Sequence, residues 1–143
     1  MKRIIAILTT IIFLAVPASA LDLSFFPAMF AEDTNVIVGK SAAAEDVVGA
    51  IDIATTLQKS MGSNKKLSGA ILDTEVNDLT SKNSIVVGGP CINSMAARLM
   101  DYPSNCLEGF EVGKGFIKLY EFENGKISLL AAGTTAKDTR RVT

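Results

Sequence analysis

The sequence predicts an α/β protein, a small Rossmann-like three-layer sandwich whose mostly parallel sheet carries an antiparallel hairpin at its edge. Three observations lead there. A short β-branched run, a turn of small residues and a helical segment succeed one another three times along the chain. Two of the runs, Val36–Val38 and Ile85–Val87, are apolar throughout, as parallel strands covered on both faces are. Residues 115–132 read as two strands joined by a tight turn. Strands alternating with helices in this way build a right-handed layered α/β domain.

The first unit is a strand at Asn35–Gly39, a turn at Lys40–Ala44 and a helix from about Glu45 to Met61. Val47, Ala50, Ile51, Ala54, Leu57 and Met61 recur at helical spacing and predict one buried stripe. Glu45 and Asp46 fall in the first turn, where the helix dipole favours anions. Gly62 is the natural stop, and the polar turn Ser63–Lys66 leads to a short strand at Ala70–Leu72. The second unit is Ser84–Gly88, then Gly89-Pro90, then a helix through Ile92, Met95, Ala96, Leu99 and Met100. Pro90 is placed at its first helical position, where a missing N–H leaves nothing unpaired. The third is Ile127–Ala132, then Gly133-Thr134, then a short helix opening at Thr135. Asp138 follows three residues later, as in a capping box. In the hairpin, Phe116, Lys118, Tyr120 and Phe122 alternate with Ile117, Leu119, Glu121 and Glu123, and Asn124-Gly125 reads as a type I′ turn.

Residues 1–20 are read as a secretory signal peptide. Lys2 and Arg3 precede a short apolar run from Ile4 to Val16, and Pro17 leads into Ala18-Ser19-Ala20, a small-x-small cleavage site. The run falls short of the roughly 20 residues that span a bilayer, so the processed chain is expected to be secreted and not membrane-spanning. Residues 21–143 then form a single domain with a net charge of −3, against −1 for the whole chain. Lys65-Lys66 and Arg140-Arg141 are isolated basic pairs, so no nucleic acid is expected as a partner. There is no histidine. Ser-His-Asp and Cys-His catalysis and histidine-bearing zinc sites are therefore excluded within this chain.

In an exported chain the two cysteines, Cys91 and Cys106, read as a disulfide. The competing readings are a reactive thiol at Cys91 beside a helix start, and two free or metal-bound thiols. The strand-to-helix turns gather Gly39, Lys40, Ser41, Gly88, Gly89, Pro90, Asn93, Gly133 and Thr134 as candidate contact residues, since that edge of an α/β sheet is where ligands bind. None matches a dinucleotide or Walker motif, and close packing of helix on strand explains the glycines more simply. Asp73, Glu75 and Asp78 cluster as a calcium site would, but without a D-x-D-x-D-G loop they read as solvated acids; no cofactor is expected. Ser63–Lys66 matches S-x-x-K by chance, for it follows a helix and lacks the companion motifs.

Several phrases in order resemble the archaeal surface-layer (S-layer) proteins. They are Phe26–Phe30, Asn35–Gly39, Val47–Ala54, Ser84–Asn93, Gly113–Leu119 and Ala132–Arg141. The turn Val86-Val87-Gly88-Gly89-Pro90 with Asn93 is also similar to the cell-wall-binding repeats of bacterial surface proteins. The resemblance implies an exported, non-enzymatic structural domain of the cell envelope, whose partners are other surface-layer copies or a cell-wall polymer. No catalytic residue carries over. Family chains are longer and continue beyond the phrase that ends at Arg141, so a short or truncated version is expected here.

Overall fold

A computed structural model of the chain describes residues 22–31, 33–61, 67 and 69–143. The leader at 1–20, Gly62 and the turn Ser63–Lys66 lie outside the described residues. Five strands form one sheet: β1 (Thr34–Val38), β2 (Ala70–Leu72), β3 (Asn83–Val87), β4 (Gly115–Glu121) and β5 (Ile127–Gly133). Their spatial order is β2-β1-β3-β5-β4, with every neighbouring pair parallel except β4 with β5. The α/β sandwich with an antiparallel edge is thus the observed architecture.

Strand alternation produces the two cores. Val36, Ile85 and Leu129 are register partners in one row, and with Val38, Val87 and Phe30 they pack under α1 (Ala44–Met61) through Ala50, Ile53 and Leu57. Ile37, Val86 and Leu130 form the next row, facing the opposite layer with Ala96 of α2 (Ser94–Leu99), Leu79 and Ala132. The third helix, α3 (Ala136–Arg140), is only five residues long, too short to hold itself together. It is held by α1: the Arg140 guanidinium pairs with Asp52, and a Cβ on Gly49 would meet the Thr143 side chain within 2.4 Å.

Three expectations are corrected in detail. Val47 and Ile51 do not belong to the buried stripe of α1. Asp46, Gly49, Ala50, Ile53 and Leu57 form it, and Ile51 is 51% exposed. The helix is apolar on two adjoining faces, and its seat on the sheet and α3 decides between them. Pro90 does not open α2. It lies in a turn closed by Ile92 and Asn93 N–H groups donating to the Gly89 carbonyl, and the helix begins only after Asn93. Finally, the hairpin turn is not type I′. Gly125 has φ +76° but Asn124 does not share a positive φ, and the Asn124 side chain instead accepts from Lys126 N–H and donates to the Thr80 carbonyl. The strand β4 accordingly ends at Glu121, and Phe122 and Glu123 belong to the loop.

Candidate functional site

The crossover after β1 runs to β2 on one side, whereas the chain leaving β3 passes to β4 and β5 on the other. The carboxyl ends of β1 and β3 therefore flank a topological switch point, the place where open α/β sheets bind ligands. The predicted contact turns all arrive at this edge. Lys40 and Ser41 are exposed after β1; Gly89 and Pro90 are half-buried after β3; Thr134 is half-buried after β5. Gly39, Gly88 and Gly133 are buried. A Cβ on Gly39 would lie 2.0 Å from the Ile92 carbonyl oxygen, and one on Gly133 would lie 2.5 Å from Cβ of Asp138. Close approach of the turn before α2 accounts for Gly39, and close approach of α3 accounts for Gly133.

Asn93 is not a surface contact at all. It is fully buried, its amide donating to the carbonyls of Val87 (2.9 Å) and Ile37 (3.4 Å). Its oxygen accepts from Met95 and Ala96 N–H, capping α2. One side chain thus ties two strand ends to the helix that follows.

Asp73 makes a second tie. The expected acidic cluster does not converge, because each carboxylate is spent on nearby donors. Glu75 accepts from Leu72 N–H, and Asp78 from the Thr80 N–H and hydroxyl. Asp73, expected as a solvated acid, is 3% exposed and accepts from Lys40 N–H, Ser94 N–H and the Ser94 hydroxyl, each at 2.8 Å. Burial pushes its carboxyl up, but the Ser94 and Lys40 donors, with Thr74 N–H, outweigh this and hold it below the ordinary value of 3.8.

Between β3, β5 and α1 lies a crevice of about 190 Å³. Ser41, Thr134, Thr135 and Thr139 bring hydroxyls to it, and Leu107, Phe110 and Ala136 supply apolar wall. Cys91 and Cys106 also line it. They form the predicted disulfide, with Cα atoms 5.1 Å apart, which fastens the loop before β4 to the turn after β3. Phe110 on that loop packs on Phe116 of β4 with ring centroids 5.0 Å apart.

The crevice also holds a residue that sequence reasoning did not single out. Asp46, read only as an acid in the first turn of α1, is 1% exposed. Its carboxyl carbon lies 3.8 Å from where a Cβ of Gly88 would be. Neither carboxylate oxygen has a hydrogen-bond partner. Burial pushes its carboxyl above the ordinary 3.8; the Thr139 hydroxyl and Ala43 N–H favour the anion without reaching hydrogen-bond geometry, and the like charge of Glu45 opposes it. A signal was present in the sequence, since Asp46, Ala50, Ile53 and Leu57 share a helix face. Thr139, Phe110 and Leu107 carried no comparable signal, because they reach the crevice only through tertiary folding.

Among the described residues, no group of three histidine, cysteine, aspartate or glutamate side chains is placed to hold a metal ion. No helix among them is long and apolar enough to cross a membrane. Neither the known protein-family models nor the curated proteins contain a match to this chain.

Proposed function

We propose that the chain is an exported, non-enzymatic structural domain of a cell surface layer, working through protein–protein contacts in or next to the envelope lattice. The observation that carries this reading is the outward face of α1. Val47, Val48 and Ile51 stand more than a third exposed there, and Leu72 of the edge strand β2 is 43% exposed. Ile51 and Ala54 line a groove of about 370 Å³ with Leu67 and Ala70, beside β2, the outermost strand on that side of the sheet among the described residues. Clustered exposed aliphatic side chains next to an edge strand are surface suited to a protein partner. The Cys91–Cys106 bond agrees with a destination outside the reducing cytosol. The resemblance of the Ser84–Asn93 and Ala132–Arg141 phrases to surface-layer proteins supports the lattice in particular.

Electron microscopy of the purified chain, with and without calcium, tests the proposal. Ordered sheets that are lost in Ile51→Lys support it; monodisperse particles at every concentration overturn it. A second reading, a cell-wall polymer-binding module, draws on the hydroxyl-bearing crevice at the sheet edge. Monomers that sediment with isolated wall polymer would favour that reading over the lattice.

A further inference from the structure

We propose that the crevice at the carboxyl edge of the sheet is a binding site for a small organic ammonium ion, with Asp46 as its counter-ion. This goes beyond the contact role proposed above and does not depend on it. Buried polar groups are almost always hydrogen-bonded, and buried charges paired. Asp46 is neither: its carboxylate is shielded from solvent, both oxygens lack partners, and no described cation forms an ion pair with it. A ligand ammonium supplies what is missing, a positive charge with several N–H donors.

The walls narrow the ligand class. Calcium takes six to eight oxygen ligands, usually with several carboxylates, and the crevice brings a single carboxylate. Leu107, Phe110, Ile92 and Ala136 instead offer apolar contact to a carbon skeleton. A cavity of about 150 Å³ holds benzene, so one of about 190 Å³ accepts a compact skeleton of about seven non-hydrogen atoms. Ser41, Thr134 and Thr139 also line the crevice, and the Thr134 and Thr139 hydroxyls, which donate to the Glu111 and Thr135 carbonyls, keep lone pairs that can accept.

Titration of the full chain with cyclohexylammonium, followed by amide chemical shifts at neutral pH, tests this. The expected result is saturable shifts at Asp46, Phe110 and Thr134–Thr139, with the uncharged isostere cyclohexanol binding at least about tenfold more weakly. Asp46→Asn is expected to abolish the preference for the cation while retaining the folded spectrum. If that variant fails to fold, the comparison of ammonium with alcohol on the unaltered chain decides alone. Absence of saturable shifts in the crevice, or equal affinity for the two probes, overturns the proposal.

Discussion

Two buried aspartates at the same edge of the sheet have opposite surroundings. Asp73 is nearly inaccessible yet meets three donors from two different turns, which hold its charge and stitch the exit of β1 to the start of α2. Asp46 is as deeply buried and meets none within hydrogen-bond geometry. Burial penalises both anions, and donors offset the penalty in one place only. The contrast separates frame from proposed site: a satisfied carboxylate is part of the frame, and the unsatisfied one, on a residue that lines a crevice, is the one proposed to pair with a cation.

The contrast is broken most severely at Asp73. Asp73→Ala is expected to cost about 3 kcal/mol, because three hydrogen bonds to a buried charged acceptor are lost at once. Urea denaturation measures it, and Asp46→Asn in the same assay is expected to be neutral or stabilising. Replacing Cys91 and Cys106 by serine removes a cross-link between residues 15 apart. The expected loss is about 2–3 kcal/mol, and a loss above that would mean the bond also holds the crevice wall in place. Asn93→Ala removes the cap of α2 together with two strand-end hydrogen bonds and is expected to cost about 2 kcal/mol, read as a lowered unfolding midpoint.

Acid titration sharpens the comparison further, since the two carboxyls act with opposite sign. Asp73 has a folded value below 3.8, so its contribution is present above 3.8 and is lost as pH falls through the folded value. Asp46 has a folded value above 3.8, so the native state prefers its acid form and pays for ionisation as pH rises past 3.8. The stability difference between Asp46→Asn and the unaltered chain is therefore expected to grow from acid towards neutral pH, whereas Asp73→Asn is expected to lose its deficit towards acid. Denaturation curves across that range check both signs. The smallest effect is expected at Ile51. Ile51→Lys should change stability by less than about 0.5 kcal/mol while weakening any self-association, measured by sedimentation.

Much of the frame was legible because local chemistry and tertiary packing agree. The all-apolar runs at Val36–Val38 and Ile85–Val87 became central parallel strands, and Thr135 caps α3 through its hydroxyl as its position suggested. The misread elements share a different cause. In α1 two apolar faces adjoin, so periodicity alone cannot tell whether Val47 and Ile51 or Gly49 and Ile53 face the sheet. In the second turn the sequence reading opens the helix at Pro90, whereas the observed cap, Asn93, stands three residues later. Asn93 prevails because its side chain also satisfies the carbonyls of Ile37 and Val87, a benefit visible only once β1 and β3 are side by side.

The sequence by itself determined the types of the main elements and their order, because strand runs and helical periodicity are set by neighbours along the chain. Tertiary structure alone decided the phase of α1, and with it the burial of Asp46. A helix rotates about its own axis without altering a single local preference, and only contact with the sheet, α3 and Thr143 stops that rotation.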